Sequence, residues 1–279
     1  MKKIIALMMA MLMVAATLAA CGGNADTGSS EIAKEATATE AAAAVADVDK
    51  VKAAGKLVVG ITDFEPMDYK EEEGGKWIGF DADMATAFAE SLGVQVEFVE
   101  IDWDNKILEL NGGTVDCIWN GMTLTDEVTS AMSCTDPYCN NAQVVIVKTD
   151  DAEKYAKADD CKELNFAVES GSAGQQQAEA YSFKFTEVKD QATALMEVAS
   201  GTCDAAIIDS LMAAAMVGEG TGYKQLTYTA SLNSEEYGVG FRKGSDLTAK
   251  CNEFFAAAKA DGSMEKVAET YGVQAALIK

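Results

Sequence analysis

Apolar and polar positions switch between two periods along this chain of 279 residues. Leu57-Val58-Val59-Gly60-Ile61 is a continuous apolar run ended by turn chemistry, which predicts a buried strand. From Phe80 to Gly93 the period lengthens. Met84, Ala87, Phe88 and Leu92 share one helical face, Asp81 is placed to cap the helix start, and Gly93 is placed to stop it. Val94 to Phe98 returns to an alternation of two, the pattern of a half-buried strand. Asn105–Gly113 reads as a short helix closed by glycine, and Cys117-Ile118-Trp119 as another buried strand. Strands alternating with helices at this spacing predict an α/β fold with mainly parallel sheets.

The pattern then recurs. ELNGGTVD at 109–116 and EVASGTCD at 197–204 share Glu, Gly, Thr and Asp at four aligned places. Each stretch follows a helix-like segment and precedes an apolar run. The interval is too long for a solenoid repeat and fits two similar α/β lobes. The strands after the repeats end at Asn120-Gly121 and at Asp209-Ser210. Ligands of open α/β sheets sit at the carboxyl ends of strands, so both places are expected to face one cleft.

The N-terminus adds a destination. Residues 1–20 join Lys2 and Lys3 to an apolar run and then to small residues, the pattern of a secretory signal peptide, and the run is short for a membrane span. Leu18-Ala19-Ala20-Cys21 resembles the bacterial lipobox, which implies lipidation of Cys21. Residues 21–46 are poor in large apolar side chains and read as a flexible tether from lipid to domain.

Charge narrows the partners. There are 45 acidic residues against 22 basic ones, and no histidine. Loss of the leader with its two lysines makes the remainder more acidic still. Such a surface argues against nucleic acid and against docking on anionic lipid. Six cysteines follow Cys21 without a CxxC, so neither a metal site nor a redox motif is indicated, and no cofactor is expected. Cys117 and Cys203 read as small core residues, whereas Cys134 and Cys139 flank a turn where they could pair.

Several runs taken together resemble the amino-acid-binding group of bacterial extracellular solute-binding proteins, family 3. They are GFDADMATAFAESLG, VEFVEIDWDNKILELNGGTVDCIWNGMTLT, TDPY, VESGSAGQ, CDAAIIDS, YGVGFRKGSD and FFAAAKADGSMEKVAETYG. The resemblance covers nearly everything after Lys50. It implies a two-lobed periplasmic-binding-protein fold of the second type, with lobe one at 47–146 and 237–279 and lobe two at 147–236. The crossing strands are expected near 144–148 and 237–241. It also implies a monomer, lipid-anchored at the outer face of the cytoplasmic membrane, that hands an amino acid to an ABC permease.

The resemblance assigns a site residue by residue. Phe64 and Trp103 match aromatic walls, which suit an aliphatic stem or a cation, and Asp63 is a candidate partner for an amine. Asn120, Gly121 and Thr123 match the segment that holds the ligand carboxylate through backbone N–H groups and a hydroxyl. Ser172, Ala173 and Gly174 match a helix start that also favours an anion. Asp209 matches the acid that receives the α-amino group, and Glu169 lines the side-chain pocket.

One departure stands out. Most members of the group carry an arginine in the helix after GMTxT, and here that position is Val128. The single arginine of the chain, Arg242, lies in a strand remote from the expected carboxylate. An acidic pocket without that cation leaves two ligands open: a polar or basic amino acid, or a cationic amine lacking the carboxylate. A ligand-sensing receptor is a further alternative. A dehydratase on this scaffold is disfavoured, because no histidine is present and no nucleophile has a visible base.

Overall fold

The protein, seen here in a computed structural model, is described over residues 46–279. The leader, Cys21 and the rest of the expected tether before Ala46 lie outside the described residues. None of the described helices is long and apolar enough to cross a membrane.

Lobe one opens with α1 (Asp47–Ala54), β1 (Lys56–Ile61), α2 (Phe80–Ser91), β2 (Gln95–Glu100), α3 (Lys106–Gly112), β3 (Cys117–Ile118), α4 (Asp126–Ala131) and β4 (Ser133–Cys134). The chain leaves it on β5 (Cys139–Asn141). Lobe two holds β6 (Gln143–Lys148), β7 (Asn165–Glu169), α5 (Ala173–Ala180), β8 (Lys184–Val188), α6 (Gln191–Ser200), β9 (Ala205–Asp209), α7 (Ser210–Met216) and β10 (Leu226–Ser231). The return runs through β11 (Glu235–Tyr237) to β12 (Gly240–Phe241), α8 (Leu247–Ala260) and α9 (Ser263–Tyr271).

The two five-stranded sheets have equivalent orders, β2-β1-β3-β12-β4 and β8-β7-β9-β6-β10. In each, the first three strands are parallel. The strands next to the crossings run back against them, so both sheets are mixed. The crossings form a two-stranded antiparallel ribbon of their own, β5 with β11. This moves the first crossing earlier than the expected 144–148, because 143–148 is already an inner strand of the second sheet, with β9 and β10 on either side. The boundary expected at 146/147 therefore falls at about 141/142, and 240–241 belongs to the first sheet rather than to the ribbon.

The sequence repeat has a structural meaning in all four of its shared residues. Gly113 and Gly201 end α3 and α6 in the left-handed conformation, at φ 79° and 83°, which glycine adopts without a Cβ penalty. The carbonyls of Glu109 and Glu197 accept from the N–H groups of Thr114 and Thr202, at 3.1 and 3.0 Å. Asp116 then accepts from Val58 N–H at 3.0 Å, and Asp204 accepts from Asn165 N–H at 2.9 Å. Each aspartate ties the loop after a helix to the parallel strand beside the one it precedes, β1 in lobe one and β7 in lobe two.

Two expectations need correction. Asp81 does not cap α2: the N-cap is Gly79, and Asp81 lies inside the first turn, fully buried. There it accepts from Gly121 N–H at 2.6 Å and from the Tyr138 hydroxyl, an internal task that outweighs capping. Cys134 and Cys139 are both free thiols. Arg242 binds Asp47 at 3.2 Å, Val115 O at 2.8 Å and Asp116 at 3.1 Å, at the edge of lobe one.

Candidate ligand-binding cleft

The carboxyl ends of four strands converge on one cleft between the lobes. β1 delivers Thr62, Asp63 and Phe64, and β3 delivers Asn120 and Gly121. From the other lobe β7 delivers Glu169 and β9 delivers Asp209. Helix starts contribute Lys106, Thr125, Ser172, Ala173 and Gln191. Trp103 and Thr123 complete the expected set. Gly174 does not reach the cleft: a Cβ there would meet Ile207 O at 3.0 Å and Gln143 Oε1 at 3.1 Å, inside lobe two. The walls nearly close on each other, leaving a cavity of about 20 Å³. That space suits one or two waters, so a larger ligand enters only as the lobes part.

The lobe-one wall is built on Asn120. Its side chain accepts from Thr62 N–H at 2.9 Å and Thr62 Oγ1 at 2.7 Å, and donates to Thr62 O at 3.1 Å and Asp68 at 2.8 Å. All its capacity is engaged, so Asn120 shapes the wall and leaves ligand contact to its neighbours. Gly121 N–H is likewise taken, by Asp81. Gly121 sits at φ 53°, and a Cβ there would meet the Phe64 ring at 2.3 Å. Phe64 meets Tyr237 edge to face, with ring centroids 6.4 Å apart. Thr123 Oγ1 donates to Glu235 at 2.9 Å.

The lobe-two wall is acidic. Asp209 Oδ1 accepts from Gln143 Nε2 at 2.9 Å, Tyr237 Oη at 2.8 Å and Asn141 Nδ2. Its other oxygen accepts from Gln191 Nε2, which also lies 3.5 Å from Glu169. Gln191 returns the contact by accepting from Asp209 N–H at 2.9 Å. Burial, and then the charge of Glu235, push the Asp209 carboxyl up to about 7. Burial, and then the charge of Asp209, push Glu169 up to about 8. Glu169 is 3% exposed and its Oε1 has no partner among the described residues. Asp209 is thus largely satisfied by the protein, while Glu169 keeps an oxygen free. Ser172 caps α5, accepting from Gln175 N–H at 3.1 Å. Asp63 lies exposed at the rim.

Of the cleft residues that escaped the sequence reading, three bear on its charge. Gln191 bridges the two buried acids, Glu127 adds a further carboxylate, and Lys106 is a basic residue within the cleft. Lys106 lies three residues after Trp103, the interval at which helical side chains share a face, and that spacing was the available signal. Among the described residues no group of three or more histidine, cysteine, aspartate or glutamate side chains is arranged to hold a metal ion.

Two lobes of equivalent strand order, a crossing ribbon and a polar cleft at the strand ends define the class of two-lobed solute-binding proteins. The chain belongs to the bacterial extracellular solute-binding proteins, family 3, whose sequence profile matches residues 57–274. It is 29% identical over 219 residues to the arginine-binding extracellular protein ArtP of Bacillus subtilis, covering 76% of this chain and 84% of that protein. Among solved structures, a mutant of ArgBP from T. maritima superposes with a TM-score of 0.75 at 30% identity, over 80% of this chain and 98% of that one. An ancestral amino acid-binding protein, AncCDT-1, described as a precursor of cyclohexadienyl dehydratase, gives 0.74 at 32% identity, over 81% and 99%.

Proposed function

We propose that this protein captures an amino acid, with preference for one bearing a positive charge, and delivers it to an ABC permease. The observation that carries the reading is Glu169. A carboxyl buried in a cleft with one oxygen unpartnered is stabilised by a cation that arrives with the ligand. Trp103 and Phe64 line the same cleft, and aromatic faces suit the stem or charge of such a side chain. In this reading Asp209, Thr123 and the N–H groups at the start of α5 meet the α-amino and carboxylate ends, and Asp63 meets incoming cations at the rim. The similarity to an arginine-binding protein supports the same class. No catalytic step is assigned.

The lipobox at Leu18–Cys21 supports a lipoprotein held at the outer face of the membrane beside its permease. A second reading follows from Val128, which packs in the apolar cluster around Trp103 where the group places an arginine: the ligand is an amine without a carboxylate.

The test is a thermal-shift screen of the refolded protein with amino acids, their decarboxylated amines, betaines and polyamines. A micromolar ligand at millimolar concentration adds about 4 kcal/mol, a shift of roughly 8–16 °C for a domain of this size. Stabilisation by a basic amino acid is expected. A response confined to amines replaces the first reading by the second, and a response to neither class overturns both.

A further inference from the structure

Lys106 is a buried ammonium that makes no ion pair among the described residues; Glu127, Glu169 and Asp104 act on it only through space. It opens α3, is 5% exposed, and is the one basic residue among the described residues that lines the cleft. Its Nζ donates across the cleft to Gly171 O of lobe two at 2.7 Å and to Trp103 O at 3.3 Å. It also lies 5.0 Å from the centre of the Trp103 ring. Among the described residues no carboxylate oxygen comes within the 4.0 Å of an ion pair. An ammonium has three N–H donors, and two carbonyls leave one donor free and a charge that Glu127, Glu169 and Asp104 meet only through space. Burying a charge on those terms is costly unless something supplies the opposite sign.

Its place in the cleft says what that would be. Val128 packs in the same apolar cluster as Trp103, and Trp103 is the residue that Lys106 leans on through both ring and carbonyl. A cation from α3 therefore reaches the neighbourhood to which α4 supplies no cation. We infer that Lys106 holds the carboxylate of the ligand, as the specificity-determining cation of this cleft. The inference rests on the amino-acid reading above. Together with the unpartnered oxygen of Glu169, it makes the cleft complementary to a zwitterion with a cationic side chain: buried acids on the lobe-two wall, and on the lobe-one wall an ammonium beside the carboxylates of Glu127 and Asp63.

The competing role is a latch, in which Lys106 merely ties the lobes together through Gly171 O. A paired titration separates the two. The full chain, solubilised in detergent and freed of carried ligand by refolding, is titrated calorimetrically with L-arginine against agmatine and L-histidine against histamine. Lys106→Met is expected to weaken the amino acid about ten- to a hundredfold, as for a lost charge-assisted hydrogen bond, and to leave the matching amine within about twofold. Lys106→Arg is expected to keep the discrimination. If Lys106→Met does not fold, Lys106→Gln, which retains a donor for Gly171 O without the charge, is expected to give the same split. Equal losses for both members of a pair, or no loss for either, overturn the assignment. If the wild-type protein binds amines but no amino acid, or nothing in the panel, the reading beneath it fails and the inference falls with it.

Discussion

Glu169 and Asp209 share one amide: Gln191 Nε2 donates to Asp209 Oδ2 and lies 3.5 Å from Glu169 Oε2. The two buried acids are thereby coupled, and their protonation sets what the cleft can hold. With Glu169 raised to about 8 and Asp209 to about 7, the ligand-free cleft carries protons near neutrality. A cationic ligand binds the ionised form, so its affinity is expected to rise with pH and to level off above about 8, with proton release on binding. Calorimetry in buffers of different ionisation heat reads the released proton directly. The ligand-free protein should behave in the opposite sense. Carboxyls raised in the folded state hold more protons there than in the unfolded chain, so stability falls as pH rises from the ordinary carboxylate range to about 8. Thermal melts across that window check the sign.

Glu169→Gln separates binding from folding. The substitution removes charge at a side chain whose Oε1 has no partner, so melting is expected to hold or rise at pH 8. Affinity for a cationic ligand should fall by about 1.5–3 kcal/mol, ten- to a hundredfold or slightly more. Unchanged affinity would remove Glu169 from the site.

Asp209→Asn is expected to damage both properties. Four side-chain donors point at the carboxylate, and an asparagine amide sets N–H against N–H. A stability loss of about 1–3 kcal/mol should accompany the loss of binding. Denaturant unfolding beside ligand titration measures the two together.

Gly121→Ala tests the aromatic wall. With φ at 53° and the Phe64 ring 2.3 Å from the added methyl carbon, the ring must shift away from Tyr237. A cost of about 1–3 kcal/mol is expected, with weaker ligand binding. A melt like the wild type's would show that the wall yields freely.

Asp204→Ala is the control. It removes the carboxylate that accepts from Asn165 N–H at the foot of lobe two, and should cost about 1 kcal/mol of stability with ligand affinity unchanged. A change in affinity would show that the repeat aspartate does more than tie a loop.

The elements were legible wherever period and punctuation agreed. Leu57–Ile61 lies within β1, the Glu-Gly-Thr-Asp repeat marks equivalent corners of both lobes, and Gly113 and Gly201 end helices. Asp81 was misread because a carboxylate at a helix start looks like a cap. Only the fold shows that Gly121 N–H, 40 residues on, claims it. The crossing strands were placed too late on their apolar runs, since an inner strand of a sheet and a short ribbon leading into it read alike. Within the site, residue types at strand ends were visible in the sequence. Which of their polar atoms are already engaged was not, because the partners of Asn120 and Asp209 lie on other elements. Lys106 was hidden for the same reason: its Nζ is held by a carbonyl of the other lobe.

The clamp at the start of α1 has a mechanical consequence. Asp47 is held by Arg242 at 3.2 Å, and the N–H groups of Asp47 and Val48 donate to Asp246 at 2.9 and 3.0 Å. All of these residues belong to lobe one. A pull on the chain from the direction of residue 46 is therefore borne there and is not transmitted to the β5–β11 ribbon.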